Sequence, residues 1–199
     1  MEFATEGPMV LSGKGNKPKN VAISSAKKHE NVKKIKEREA HEMATGWVLW
    51  AHLPHDTKWG IDSYIKIQSL KTIEEVIALY REIPDTMVKN CMLFLMREKI
   101  QPIWEDKKNK NGGCFSFKIS NKNVPGIWKK LSYSMVGETL STDKLFLNSV
   151  NGITISPKKS FCIIKLWMSN TRTQNPRKIT PIPNLSLTGC IFKKHKPDY

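Results

Sequence analysis

Short runs of apolar, β-branched and aromatic residues recur along the chain between turn-forming residues, and this pattern limits the fold more than any other. These runs predict strands, and they read GWVLWAHL, IDSYIKIQSL, NCMLFLMREK, CFSFKIS, GITIS, SFCIIKLWM and LTGCIFKK. CFSFKIS is expected to lie beside NCMLFLMREK, because KNKNGG before it has the Asn and Gly content of a turn between antiparallel strands.

Two segments between these runs predict helices. TIEEVIALYREIP begins with Thr72, has Glu75 three residues on and ends at Pro84, which is a capping-box pattern. VPGIWKKLSYSMVGE has Pro125 near its first turn and Gly137 near its end. Because strands dominate, we predict an α+β domain built on one curved antiparallel sheet.

The charge of the chain is large and unevenly distributed. The formal net charge is +15, and from Lys144 to Pro197 there are ten Lys and Arg residues and no Asp or Glu. Such a segment repels itself unless an anion lies nearby, and nucleic-acid phosphate is the commonest such partner. Lysine kept for solubility, or a biased codon usage, is the alternative interpretation.

The sequence also bounds the domain organisation and the compartment. Residues 1–40 are charged and poor in apolar residues, which predicts a basic, flexible tail before a domain over 41–199. No signal peptide and no apolar run of about 18 residues is present, so neither secretion nor a membrane span is expected. Four widely spaced cysteines are expected to be reduced, in the cytoplasm and conceivably also the nucleus.

Two loop tryptophans and one acid suggest the chemistry. Trp59 follows DTK, and Trp104 is followed at once by Glu105. Two exposed indoles can sandwich a flat base, a cationic ring strengthens that stacking, and a carboxylate can accept two N–H bonds from a guanine edge. With lysines for phosphate, these parts describe a receptor for 7-methylguanosine. On composition alone this is one option among several, because Trp more often fills a core.

The same segments resemble the eukaryotic cap-binding translation initiation factor four-E family over residues 41 to 168. HEMATGWVLW resembles its first strand, DTKW its first stacking loop, IQPIWEDKKNKNGG its most recognisable stretch, and IIKLWM its strand with a third cap-side Trp. Each stretch alone is weak evidence for the family, but the order and spacing of all of them together are specific to it. The divergence is typical of a protist or a large DNA virus.

The resemblance implies a cupped sheet with helices on its convex back and a cap slot on the concave side. It assigns the cap-binding residues as Trp59, Trp104, Glu105 and Trp167. It assigns phosphate binding to Lys158, with Lys159 and Lys165 as further candidates. No catalysis, cofactor or metal is implied. His52, His55 and Asp56 lie close in sequence, but a surface loop is the expected interpretation.

The convex face of the family binds a partner helix with a Tyr-x-x-x-x-Leu-apolar motif. The resemblance therefore implies two kinds of partner, capped mRNA and either a scaffold factor (four-G-like) or a repressor peptide. It also implies a monomer. The corresponding residues here are His41, Ile73, Ile77, Lys129, Lys130 and Tyr133. Ile77 replaces a Trp, and the two lysines replace an apolar residue and an acid. Usual partners are therefore expected to bind weakly, or a differently charged partner to bind instead.

Two other functions stay open at this point. One is a repressor or decoy that binds caps but recruits no ribosome. The other is a cap-independent module that binds single-stranded RNA through the same aromatic and basic residues.

Overall fold

The computed structural model describes residues 40–196. The chain forms a seven-stranded sheet in the order β2-β1-β3-β5-β6-β4-β7, and every neighbouring pair is antiparallel. The strands are β1 (Glu42–His52), β2 (Tyr64–Thr72), β3 (Met92–Arg97), β4 (Gly113–Ser120), β5 (Val150–Pro157), β6 (Phe161–Met168) and β7 (Ile191–Lys194). The predicted α+β class with one antiparallel sheet is confirmed.

Within residues 40–196, four helices connect the strands. They are α1 (Ile73–Glu82), α2 (Asp85–Asn90), α3 (Val124–Val136) and α4 (Lys144–Ser149), with 3-10 turns at Ile61–Ser63 and Pro176–Lys178. The predicted capping box of α1 is present, because the Thr72 hydroxyl accepts from the Glu75 amide at 3.3 Å and the Glu75 carboxylate accepts from the Thr72 amide at 3.1 Å. The capping box thereby satisfies two amides at the start of α1, and the Ile73 amide donates to the His41 carbonyl at 2.9 Å.

One face of the sheet carries the main core. Cross-strand partners follow each other over this face and are buried: Leu49, Leu95, Ile153, Leu166 and Phe115. The buried residues of α1 and α3 belong to the same cluster. Since burying one such side chain stabilises a fold by roughly 1.5–3 kcal/mol, this layer fixes the strand register. The helices thus lie on this convex side.

The opposite, concave face is lined by a different row of cross-strand partners: Trp50, Phe94, Thr154, Lys165, Ser116 and Ile191. Only a small apolar cluster forms there, around Phe94, Met96 and Trp167. Its members come from the strands and from the loop after β3, and none of the described helices contributes to it.

One predicted neighbour relation is wrong. Strand β4 lies between β6 and β7, whereas β3 lies between β1 and β5. The segment between β3 and β4 is a long loop over residues 98–112, because β5 and β6 separate the two strands. The short helices α2 and α4 were not predicted either, since six residues carry too little of a helical period.

Three further observations bear on the expectations above. Between residues 40 and 196 no helix has the length and apolar character to cross a membrane. In the same range no group of three or more His, Cys, Asp or Glu side chains could hold a metal ion. The predicted basic tail over residues 1–40 lies almost entirely outside the described residues, so the domain boundary stays a prediction.

Candidate functional site

Trp59 stands at one edge of the concave face, in the loop between β1 and β2. Its side chain is exposed, at 54% of its free surface. The imidazole of His52 lies flat against one face of the indole, with ring centroids 4.3 Å apart and planes 2° apart. His52 is buried and donates its Nε2–H to the Lys58 carbonyl at 2.7 Å. One face of Trp59 is therefore covered and held by the protein.

Trp104 stands in the loop over residues 98–112 and is 37% exposed. The ring of His195 stacks on it at a centroid distance of 5.7 Å and an angle of 11°. The Lys165 ammonium lies 6.0 Å from the centre of the Trp104 ring, which is within the range of a cation–π contact. Both loop tryptophans are thus stacked on a histidine.

A buried amide network fixes the loop that carries Trp104. The Asn109 side chain is fully buried and donates to the carbonyls of Gln101 at 2.9 Å and Ile103 at 2.8 Å. Asn151 on β5 donates to the Asn109 side-chain oxygen and to the Lys108 carbonyl, both at 2.8 Å. These bonds hold the stretch on both sides of Trp104 against the sheet. They are needed there because a buried amide without a hydrogen-bond partner destabilises the folded protein.

The floor between the two loops is aromatic. His52 contacts Tyr64, Tyr64 contacts Phe94, and Phe94 contacts Trp167, with centroid distances of 5.0, 5.1 and 6.5 Å. Trp167 is only 4% exposed and also contacts His195 at 4.9 Å. A continuous series of ring contacts therefore runs across the concave face from Trp59 to Trp104.

Glu105 lies close enough to this floor to act on Tyr64. Burial raises the pKa of Tyr64 to about 12, and the negative charge of Glu105 adds to the rise. Glu105, which follows Trp104 directly in the loop, therefore lies within electrostatic range of Tyr64.

Lysines from three strands line the far half of the concave face. Lys165 on β6 pairs with Ser116 on β4, Lys193 on β7 pairs with Cys114, and Lys118 on β4 pairs with Ile163. Among residues 40–196 none of these three ammonium groups forms an ion pair with a carboxylate. Lys165 and Lys193 give a positive field next to Trp104 and Trp167, whereas the Lys118 ammonium lies 4.4 Å from the centre of the Phe161 ring, at the opposite end of β6.

The other two predicted phosphate residues lie elsewhere. Lys158 and Lys159 are exposed in the turn between β5 and β6, where the Lys158 amide donates to the Phe161 carbonyl at 2.8 Å. Phe161 and Trp167 are at opposite ends of β6, roughly 20 Å apart at the usual strand rise. The structure does not bring these two lysines to the tryptophans.

The residues predicted for a partner helix lie on the convex side, on and before α1 and on α3. Ile77 is 36% exposed, Tyr133 contacts Tyr80 at 5.4 Å, and the Lys129 ammonium lies 5.6 Å from the Tyr133 ring. His41 pairs with Glu74 through Nδ1 and Oε1 at 2.7 Å, and this contact lowers the pKa of Glu74 to about 2. Ile73 is half-buried and Lys130 exposed.

Sequence reasoning missed several residues of the concave site. His52 and His195 contact the predicted tryptophans directly, Tyr64 contacts His52, and Lys118 and Lys193 lie on the same face. The strand patterns CFSFKIS and IFKK contain a signal for these lysines, because alternate positions share a face. No local pattern indicates His195, because its partners are distant in the chain.

Comparison with known proteins gives a consistent result. The family model described as "Eukaryotic initiation factor 4E" matches residues 42–190. Eukaryotic translation initiation factor 4E of Eremothecium gossypii is 27% identical over 97% of this chain and 85% of that protein. A homolog of the same factor from Acanthamoeba polyphaga mimivirus is 42% identical over 62 residues, 31% of this chain and 23% of that protein.

Solved structures show the same fold. The complex of C. elegans eIF4E-3 with the 4E-binding protein Mextli and a cap analog gives a TM-score of 0.61 at 21% identity, over 69% of this chain and 79% of that chain. Ascaris suum eIF4E-3 with m7G cap gives 0.60 at 19% identity, over 69% and 78%. At these identities the likeness shows the fold alone.

Proposed function

This chain belongs to the eukaryotic initiation factor 4E family, and from that premise we propose that it binds the 7-methylguanosine cap of mRNA and acts in translation initiation. The observation that carries the proposal is the pair of exposed indoles, Trp59 and Trp104. Each has a histidine against it, and a series of aromatic contacts joins them across the concave face. Solved relatives with this fold hold a cap analog or m7G cap.

The base would bind by stacking. A guanine methylated at N7 carries a positive charge, so it attracts the electron-rich faces of Trp59 and Trp104 more strongly than guanine does. Stacking on aromatic side chains is worth about 1–3 kcal/mol per base. Trp167 and Phe94 would form the apolar floor below the ring. The exposed faces of the indoles supply affinity, and the added charge of the methylated ring supplies the preference for it.

Glu105 would identify the base as guanine. Glu105 follows Trp104 directly in the loop, and its charge acts on Tyr64 on the floor of the slot. From this position it can accept hydrogen bonds from N1–H and the N2 amino group of guanine, two donors that adenine lacks in that arrangement. Charge-assisted hydrogen bonds of this kind are about twice as strong as neutral ones.

The phosphates would meet the unpaired lysines of the concave face. Lys165 and Lys193 have no carboxylate partner among the described residues, so a triphosphate would neutralise them. Lys118, whose ammonium lies 4.4 Å from the centre of the Phe161 ring, would act further along β6. Lys158 and Lys159 would act only on phosphates or nucleotides extending along β6.

The convex face would bind a scaffold or repressor segment, as relatives have been solved with 4E-binding proteins such as Mextli. Lys129 and Lys130 give this surface a positive charge near Tyr133. We infer that it disfavours partner helices with basic residues and favours acidic ones. The same charge favours a second candidate function, a cap-binding repressor or decoy that does not recruit the usual scaffold.

The experiment that tests the proposal is calorimetric titration with 7-methyl-GTP and, separately, GTP. We expect tight binding of the methylated nucleotide, much weaker binding of GTP, and loss of the preference in Trp59→Ala and Trp104→Ala. Leu145→Ala, at an exposed position on α4, is the control and should bind as wild type. Equal, salt-sensitive affinity for both nucleotides would instead indicate cap-independent RNA binding.

A further inference from the structure

The strongest unassigned feature is the attachment of His195 to the loop that carries Trp104. His195 directly follows β7 and is 7% exposed. Its backbone amide donates to the Gly112 carbonyl at 3.0 Å, its Nδ1–H donates to the Asn109 carbonyl at 2.7 Å, and its ring stacks on Trp104. Three contacts therefore join the end of β7 to one loop.

We propose that His195 is a positioning residue for Trp104, so that β7 forms one wall of the nucleotide slot. The imidazole would hold the Trp104 indole in its stacking orientation before any ligand arrives. The function of His195 would be to act through Trp104, without contacting the base.

The strand order shows from which side His195 approaches. The loop of Trp59 joins β1 to β2 at one edge of the sheet, and β7 is the opposite edge strand. His195 contacts Trp104 and Trp167, whereas Trp59 is stacked on His52. His195 therefore comes from the edge of the sheet opposite to the Trp59 loop, and a base would stack on the indole face that His195 leaves open.

The hydrogen bonds of Asn109 connect His195 to the backbone on which Trp104 is carried. The Asn109 carbonyl accepts from His195, while its side chain donates to the carbonyls of Gln101 and Ile103. One buried residue thus fixes both the imidazole and the stretch that begins the Trp104 turn. Ordering these groups in the free protein reduces the entropy lost on binding.

The Nε2 atom of His195 is buried and has no hydrogen-bond partner among the described residues. A neutral ring with Nδ1–H donating to Asn109 leaves Nε2 as an unused acceptor, which costs stability. If the ring at position 195 served packing alone, an aromatic hydrocarbon would pack as well and would leave no buried polar atom unpaired. The retained polar edge fits a residue kept for its bond to the Trp104 loop.

Gly113 allows β7 to come this close. A Cβ built at Gly113 would lie 2.5 Å from the Lys193 carbonyl oxygen, so a larger residue would push β7 away from β4. The close approach at the base of the loop places His195 within stacking distance of Trp104.

A double-mutant cycle with 7-methyl-GTP as the probe tests the inference, and this arm rests on the proposed function. His195→Ala should weaken binding about five- to tenfold in the wild-type background, the range of an aromatic pair contact. In Trp104→Ala it should have no further effect, because His195 acts through Trp104. His195→Phe keeps the stacked ring but loses the hydrogen bond to the Asn109 carbonyl, so it should recover only part of the affinity. His55→Ala, at an exposed histidine, is the matched control.

A ligand-free measurement separates this inference from the proposed function. In NMR spectra of the imidazole nitrogens, His195 should show the Nδ1–H tautomer, and Trp104→Ala should shift its resonances while leaving those of His55 unchanged. If this holds but the protein does not prefer 7-methyl-GTP over GTP, the proposed function fails and the positioning contact stands. Equal losses from His195→Ala with and without Trp104, or unshifted His195 resonances, would overturn the inference.

Discussion

His52 and Trp59 are stacked almost perfectly parallel, with ring centroids 4.3 Å apart and an angle of 2° between the planes. The buried histidine is itself held by its bond to the Lys58 carbonyl, one residue before Trp59. The loop therefore closes on itself: its backbone orients the imidazole, and the imidazole orients the indole. A stacking residue on a loop is rigid here because its support comes from an adjacent strand.

The first prediction concerns this support. His52→Ala leaves one face of Trp59 without a partner, so we expect 7-methyl-GTP affinity to fall about three- to tenfold, the range of an aromatic pair. His52→Phe retains the flat ring and should stay within about twofold of wild type by the same reasoning. Calorimetric titration of both variants, with His55→Ala as the control, decides the matter. A Phe variant as weak as the Ala variant would show that the Lys58 bond matters more than stacking.

Local patterns predicted the elements well and the long-range contacts poorly. Trp104 and Glu105 are adjacent in the chain, so one motif contains both, and the α1 capping box lies within four residues. His195 reaches Trp104 only because β7 pairs with β4 at the edge of the sheet. The same limit explains the wrong placement of β4 beside β3, because a turn-like composition does not specify which strand comes next.

The second prediction uses the titration of Tyr64. Its pKa is raised to about 12 by burial and by the charge of Glu105. Glu105→Gln removes that charge, so the Tyr64 pKa should fall, yet stay above the ordinary value because burial remains. In wild type the unfolded chain releases this proton at lower pH than the folded chain. The Tyr64 contribution to stability is therefore lost as pH rises from about 10 towards 12.

NMR titration of tyrosine Cζ resonances measures this shift. Tyr80, buried beside Ser132 on the convex side, is the internal control and should titrate identically in both proteins. An unchanged Tyr64 would place Glu105 away from the floor of the slot and remove the support for its contact with guanine.

The third prediction concerns the charge of the convex face. Lys129→Glu with Lys130→Glu should strengthen binding of a Tyr-x-x-x-x-Leu-apolar peptide that carries basic residues, and weaken binding of an acidic version, each by several-fold. Fluorescence anisotropy with both labelled peptides measures the ratio of affinities. Lys122→Glu with Lys144→Glu, at two exposed positions outside α3, makes the same change in net charge and is the control. A ratio that changes equally in the control would mean that the effect is long-range and that no peptide is recognised at α3.

The last prediction compares two glycines beside the two stacking loops. A Cβ at Gly112 would lie 1.8 Å from the Met168 carbonyl oxygen, a backbone atom that cannot move without shifting β6. A Cβ at Gly60 meets nothing within 4 Å, and its φ of −69° suits alanine. Gly112→Ala should therefore lower the free energy of unfolding by about 2 kcal/mol or more, and should displace the Trp104 loop from β6.

Gly60→Ala, next to Trp59, should change stability by less than about 0.5 kcal/mol. Chemical denaturation gives the stabilities, and titration with 7-methyl-GTP gives the affinities. Because the Gly112 carbonyl also accepts from the His195 amide, Gly112→Ala should lose affinity even at temperatures where it remains folded. A folded Gly112→Ala protein with wild-type affinity would show that the loop root and Trp104 move independently, which would contradict the rigid support inferred for this side of the slot.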